Sequence, residues 1–177
     1  MAQTALVLTV SDRVAAGTRD DASGPAIAAR LAELGWTVDH ALVPDDRDRI
    51  AAALRDAAAL HSLVISTGGT GLTPRDVTPQ ATGGVLDYEI PGIPEAMRAA
   101  GRLTTPLADL SRAKAGVIGR SLVINVPGSP RGALESLEAV LALLDHAVRT
   151  LAGPYDHEAA GQVPGPASAN TDEREDP

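Results

Sequence analysis

Residues 66–82 read STGGTGLTPRDVTPQAT. Gly68, Gly69 and Gly71 fall within four positions, and Thr67, Thr70 and Thr73 surround them. A run of this kind cannot pack a core. Glycine-rich turns expose backbone N–H groups and admit a ligand closely, a concavity suited to phosphate oxygens. The threonines add hydroxyl donors. A single acid, Asp76, follows, and a second acidic turn, Pro44-Asp45-Asp46, lies upstream. Asp45 or Asp46, together with Asp76, offers oxygens to Mg²⁺, which takes one or two carboxylates and completes its shell with phosphates and water. A phosphate nest beside metal carboxylates points to a nucleotide or phosphoryl site. Neither G-x-x-x-x-G-K-[ST] nor a helix-opening G-x-G-x-x-G occurs, so the common nucleotide motifs do not explain the loop.

The elements that position these residues alternate. TALVLTV (4–10) is an apolar run of strand length. SGPAIAARLAELG (23–35) predicts a helix with Ser23 as its cap, Pro25 inside its start and Gly35 as its stop. WTVDHALV (36–43) alternates as a half-buried strand, and 46–60 is an amphipathic helix built on Ile50, Leu54 and Ala57 or Ala58. SLVIST (62–67) runs as a strand into the glycine loop. A helix over 92–103, a strand over 121–126 ending in VPGSP, and one long helix over 131–153 complete the pattern. Such alternation predicts a parallel or mostly parallel sheet with helices on both faces. Ligands bind beyond the carboxyl ends of such strands. The loops after strands 4–10, 36–43, 62–67 and 121–126 are therefore expected to meet along one edge.

Composition limits the alternatives. The 177 residues suffice for one domain with a core. With no Phe and 2% aromatics, aliphatic side chains and alanine must build it. There is no cysteine, which excludes disulfides and thiolate metal sites and fits a reducing compartment. No apolar run approaches the ~18 residues of a membrane span, and ALVLTV is too short for a signal segment. A cytoplasmic protein is expected. Half of the net charge of −8 sits in His157–Pro177, which holds five acids and one arginine. Neither part carries the basic footprint of a nucleic-acid binder. Residues 1–156 are read as one domain and the Pro/Gly-rich acidic stretch 157–177 as a disordered tail.

TVSDR, VPDD, STGGTGLTPRDVTPQAT, IPGIPEAMR, LSRAKAGVIG and INVPGSP occur in an order and spacing that resemble the MogA/MoaB family, over residues 4 to 153. These are the molybdopterin adenylyltransferases of molybdenum cofactor biosynthesis, with the gephyrin G domains as relatives. The resemblance implies a three-layer α/β/α sandwich with a mostly parallel central sheet. It implies ATP and molybdopterin as substrates, Mg²⁺ as cofactor, and adenylyl-molybdopterin and pyrophosphate as products. A homotrimer, or a hexamer built from trimers, and a molybdenum-insertion partner protein are implied as well. Position by position, it makes Asp45 and Asp76 the catalytic, metal-binding acids. Thr67, Gly68, Gly69, Thr70 and Gly71 become the phosphate cradle. Ser11 and Asp12 form a turn near the nucleotide, and Ser111, Asn125, Pro127 and Gly128 line the nucleotide and pterin region.

Structural readings stand beside these roles. Asp45 and Asp46 precede a helix, where either can be an N-cap. Asp76 can pair with Arg75, Ser11 and Asp12 can be a strand-end turn, and Ser111 can cap a helix. His40, His61, His146 and His157 lack the i, i+4 spacing of a zinc helix and read as surface or core residues. Arg47, Arg49 and Arg55 read as a solvated helix face. A MoaB-type paralogue, which binds pterin or assembles with partners and transfers little adenylate, carries the same fold and is the alternative to the enzyme. Hydrolases of nucleotide-like metabolites also share the fold, but they are longer and carry a second domain.

Overall fold

The computed structural model describes residues 3–153. The expected tail, 157–177, lies outside them. A six-stranded sheet, ordered β2-β1-β3-β6-β5-β4, forms the middle layer. Its strands are β1 Thr4–Val10, β2 Thr37–Val43, β3 Leu63–Thr67, β4 Tyr88–Glu89, β5 Ala115–Ile118 and β6 Ser121–Val126. The β1–β2, β1–β3 and β3–β6 pairings are parallel, and β4–β5 and β5–β6 are antiparallel. The helices are α1 Asp12–Ala15, α2 Ser23–Glu33, α3 Arg47–Leu60, α4 Thr78–Gly83, α5 Gly92–Arg102, α6 Pro130–Glu138 and α7 Leu141–Ala152, with a 3₁₀ turn at Pro106–Leu110.

The period of two in the strands produces the three layers. Ala5 and Val7 of β1, Leu63 and Ile65 of β3, and Leu122, Ile124 and Val126 of β6 point to one face, where Ile27 and Leu31 of α2, Met97 of α5, Leu137 of α6 and Leu144 of α7 cover them. Leu6, Leu8 and Val10, with Val64 and Val123, point to the other, under Ile50, Leu54 and Ala57 of α3 and Ala81 of α4. Both faces are buried, which is why β3 and β6 read as continuous apolar runs. The α/β/α sandwich expected from the sequence is thus present.

Three details differ from the sequence reading. Ser23 does not cap α2; it is the first residue of the helix, and Asp21 Oδ1 accepts from the Gly24 N–H at 3.0 Å instead. Gly35 does stop the helix, at φ 87°. The long helix expected over 131–153 is two. The chain turns at Ala139–Val140, where α6, packed on α2, α5 and β6, gives way to α7, which lies on β6. Ala133, Leu137, Val140, Leu144 and Val148 keep helical spacing through the turn and are all buried, so the apolar pattern carries no mark of it. The antiparallel end of the sheet has no sequence counterpart either. β5 is only Ala-Gly-Val-Ile, two of whose residues have low strand propensity. Gly116 is required there, since a Cβ would stand 2.3 Å from the Tyr88 carbonyl oxygen of β4.

The topology places a crevice. From β1 the chain crosses through α2 to β2 on one side, then through α3 back past β1 to β3 on the other. The loops leaving β1 and β3 therefore diverge at their carboxyl ends, the switch point where open α/β sheets bind ligands. Ile65, at the centre of β3 and fully buried, sits in the core layer under α2, α5, α6 and α7. Ile65→Ala is expected to cost about 2–5 kcal/mol, read as a lower urea midpoint at unchanged slope.

Candidate functional site

Four strand ends build the site. At the end of β1 the Ser11 N–H donates to the Val43 carbonyl of β2 at 3.0 Å, and Ser11 Oγ accepts from the Val14 N–H, capping α1. Asp12 and Asp45 then bind each other reciprocally. The Asp12 N–H donates to Asp45 Oδ2 at 2.8 Å, and the Asp45 N–H donates to Asp12 Oδ1 at 3.0 Å. The second oxygen of Asp12 pairs with Arg75. Arg75 is thereby engaged away from Asp76. The ambiguity between the two acids after β2 is also resolved, since Asp46 accepts from the N–H groups of Asp48 and Arg49 and caps α3. Asp45 makes no cap.

After β3 the chain turns through Gly68 and Gly69, at φ 107° and 62°. Both need glycine for a second reason. A Cβ on Gly68 would stand 2.2 Å from the Val10 carbonyl oxygen, and one on Gly69 would stand 2.3 Å from Thr78 Oγ1 and 3.2 Å from Asp45 Oδ1. Thr67 is buried and donates its hydroxyl to the Pro127 carbonyl at 2.8 Å, tying this loop to the one after β6. Gly128 of that second loop packs on Gly68, with space for a Cβ only 3.1 Å from its Cα.

These loops enclose a polar cavity of about 280 Å³, lined by Ser11, Asp45, Gly68, Gly69, Asp76 and Gly128 and, opposite, by the start of α2. A second, more apolar cavity of about 280 Å³ adjoins it, lined by Thr70, Gly71, Arg98, Leu107, Ser111 and Pro127. Ser129 belongs to both walls and caps α6 at Gly132. The glycine loop is the partition. Gly68 and Gly69 face the polar side, and Thr70 and Gly71 the apolar side.

The two acids of the polar cavity have opposite electrostatic settings. Burial, with the Asp76 charge adding to it, pushes the Asp45 carboxyl above its usual range. Burial also works against the Asp76 charge, but the Thr73 hydroxyl and N–H, the Gly71 N–H and the Arg112 guanidinium outweigh it and hold that carboxyl below its usual range. The Thr73 N–H reaches Asp76 Oδ2 at 2.7 Å. Two like charges thus face one space, an arrangement a cation would relieve. Among the described residues no group of three or more His, Cys, Asp or Glu converges on a metal position. A metal held here takes two carboxylates from the protein and the rest of its shell from ligand oxygens and water, which suits Mg²⁺.

Of the residues singled out from sequence, Asn125 does not reach either cavity. It is fully buried, and its amide donates to Ser66 Oγ at 2.8 Å and Thr82 Oγ1 at 2.9 Å while its oxygen accepts from the Lys114 N–H at 3.1 Å. It fastens β6 to β3, α4 and β5 beneath the site. Thr73, expected as a phosphate donor, is committed to Asp76. Other residues escaped sequence reasoning. His40, read as a surface or core residue, stands 2.9 Å from Thr9 Oγ1 and 3.1 Å from Asp21 Oδ2, and Thr9 and Asp21 line the polar cavity. Gly24 lies against this trio with no space for a Cβ. Arg112 grips the glycine loop, and the buried Thr78 hydroxyl behind Gly69 has no hydrogen-bond partner among the described residues. These contacts join residues far apart in sequence, and no local spacing announces them.

Comparison with known proteins agrees with this geometry. Residues 6–146 match the family model described as "Probable molybdopterin binding domain". The chain is 39% identical over 154 residues to the molybdopterin adenylyltransferase of Helicobacter pylori strain J99, covering 84% of this chain and 88% of that one. It is 43% identical over 155 residues to the molybdenum cofactor biosynthesis bifunctional protein of Synechococcus elongatus, covering 86% of this chain but only 48% of that longer protein. A solved structure described as the anomalous substructure of MogA superposes with a TM-score of 0.81 at 42% identity, over 84% of this chain and 99% of that one.

The opposed settings of the two acids predict opposite effects on stability without ligand. Asp45 has a raised folded pKa, so its ionised form weakens the fold, and the penalty is present above the carboxylate range and fades on acidification. Asp45→Asn is therefore expected to raise the melting temperature at pH 7, the gain vanishing toward about pH 4. Asp76 has a lowered folded pKa, so its charge contributes stability at pH 7 that is lost as pH falls. Asp76→Asn is expected to lower the melting temperature there. Metal-free thermal scans from pH 7 to 4 check both signs.

Proposed function

Because the chain belongs to the family of molybdopterin-binding domains that serve molybdenum cofactor biosynthesis, we propose that it is a Mg²⁺-dependent nucleotidyltransferase that transfers adenylate from ATP to molybdopterin. The observation that carries this reading is the pairing of cavities across one glycine loop: a polar one holding Asp45 and Asp76, and an apolar one beside it. The triphosphate belongs in the polar cavity, against the turn of Gly68 and Gly69, where the Gly68 N–H is held by the Val126 carbonyl and the backbone N–H of Gly69 is the one proposed to face oxygens that carry charge. The flat pterin belongs against the apolar wall, with Ser111 and Arg98 as polar contacts.

In the proposed reaction an oxygen of the molybdopterin phosphate forms a bond to the α-phosphorus of ATP, and the bond to the departing pyrophosphate breaks. The barrier is the crowding of negative charge around one phosphorus. Mg²⁺, when bound, neutralises part of that charge, and Asp45 and Asp76 are the residues that would hold it. Asp76, kept ionised by its hydrogen bonds, fixes its carboxylate toward the cavity. Asp45 is aimed by Asp12, whose N–H occupies Oδ2 and leaves Oδ1 beside Gly69. The loop amides add preorganised dipoles at the phosphates. The start of α2, held by Asp21 and Thr9, closes the far wall.

Further parts of the proposal concern setting. Among the described residues no helix is long and apolar enough to cross a membrane, and the proposed location is the cytoplasm. The proposed assembly is a homotrimer or a hexamer, supported by Leu107 and Leu110 in the wall of the apolar cavity and by Leu103 at the end of α5, residues that are 68%, 50% and 91% exposed. Handing the product to a molybdenum-insertion partner protein is proposed with it. Light scattering is expected to give three or six times the 18.1 kDa of one chain, and a monomer at micromolar concentration contradicts the assembly.

Pyrophosphate release is the deciding measurement for the activity. It is expected to require ATP, molybdopterin and Mg²⁺ together. Asp45→Asn and Asp76→Asn are each expected to lower it by at least ~10²-fold, the scale of losing one preorganised electrostatic group, with the fold retained. Because both acids act on one metal–phosphate unit, the double variant is expected to be hardly worse than either single one. No release by the wild type with pure substrates overturns the reading in favour of a pterin-binding paralogue.

A further inference from the structure

Arg112 belongs to the wall of neither cavity, yet it is bonded to both walls. It directly follows Leu110 and Ser111, which line the apolar cavity. Its backbone N–H donates to the Thr70 carbonyl at 3.1 Å. Its Nε donates to the Gly71 carbonyl at 2.7 Å, and its Nη2 donates to the Asp76 carbonyl at 2.5 Å. Gly71 stands in the apolar wall and Asp76 in the polar wall. One guanidinium therefore spans the partition, one donor on each side.

The loop needs such a clamp. It holds two glycines with positive φ, and glycine is the residue most costly to order. Outside the regular ladder, its links to the body include the bonds of Gly68 N to Val126 O at 3.2 Å and Thr78 N to Gly69 O at 3.2 Å, at its two ends. The stretch between is gripped at Thr70, Gly71 and Asp76 by Arg112. The planar fork of arginine can reach two carbonyls at fixed separation, whereas the ammonium of lysine cannot impose that geometry.

We propose that Arg112 is a positioning residue that fixes the register between the two cavities, so that a group bound in the apolar cavity meets the phosphorus bound in the polar one. This rests on the adenylyl-transfer reading, in which the two substrates occupy separate cavities and react across the partition. Arg112 lines neither cavity, so its loss spares the residues that line them and spoils their alignment, and Arg112→Lys keeps the positive charge beside Asp76. A displacement of about 1 Å in such an alignment costs on the order of 10²-fold in rate.

The test uses the full chain with Arg112→Lys and Arg112→Ala. Both variants are expected to keep the KM for ATP and for molybdopterin within about three-fold while kcat falls by at least ~10-fold. Guanidinium ion at millimolar concentration is expected to restore part of the kcat of Arg112→Ala and none of that of Arg112→Lys. In the free proteins, hydrogen exchange of the amides in 69–76 is expected to quicken by at least ~10-fold, with β1, β3 and β6 unchanged. If Arg112→Ala does not fold, Arg112→Lys, which keeps the stem and the charge, decides. Wild-type kcat in Arg112→Lys, or a raised KM at unchanged kcat, overturns the proposal. So does unchanged exchange of 69–76. The exchange measurement needs no turnover. A wild type that releases no pyrophosphate therefore defeats the adenylyl-transfer reading, while exchange still reports separately whether Arg112 holds the loop.

Discussion

A side chain on Gly68 would collide with the carbonyl oxygen of Val10. That close approach, at the point where the loops leaving β1 and β3 part company, is the constraint on which the rest of the site depends. It lets the loop leaving β3 lie directly on the end of β1. Gly128 then lies directly on Gly68, and Thr67 bonds across to Pro127. Three strand ends are thereby locked into one surface with backbone groups exposed. Any residue larger than glycine would push the loop outward and open the partition between the two cavities.

Charge is placed on that surface with equal economy. Asp12 and Asp45 hold each other through backbone N–H groups, so neither acid needs a lysine or arginine inside the cavity to fix its direction. Arg75 balances Asp12 from outside. Asp76 is held by its own turn and by Arg112. The outcome is one carboxylate that ionises readily and one that resists, facing the same volume. Like charges brought together carry a cost that a bound cation removes. Burial and the Asp76 charge thus disfavour ionisation of Asp45 at the place where a metal and phosphates are proposed to bind.

The support beneath is a layer of buried polar groups. Asn125 joins Ser66, Thr82 and the Lys114 N–H with every side-chain hydrogen-bonding group engaged on a partner in β3, α4 or beside β5. Such satisfied networks fix one arrangement of a core, whereas an apolar contact tolerates sliding. The residue stands within the INVPGSP run, and its neighbours Pro127 and Gly128 do reach the cavities. Adjacent positions in one strand end thus divide between supporting the site and forming it.

That division marks the limit of the sequence. The apolar runs of β1, β3 and β6, the stop at Gly35 and the alternation of strands with helices were sufficient for a layered α/β fold, because burial on both faces leaves a local signature. The turn of the glycine loop was legible for a similar reason: positive φ and close backbone approach demand glycine at short range. The resemblance already preferred Asp45 to Asp46, whereas residue type and spacing alone left either as a helix cap; the structure shows that Asp46 is the one that caps, at Asp48 and Arg49. The turn at Ala139–Val140, the short β5 and the clamp of Arg112 on Gly71 and Asp76 needed the structure as well. Each is set by what an element packs against, 41 and 36 residues away in the last case. Periodicity and motif record what a residue requires of its neighbours in the chain. Which distant carbonyl a guanidinium finds, and which face a helix must turn toward, is decided only when the sheet brings them together.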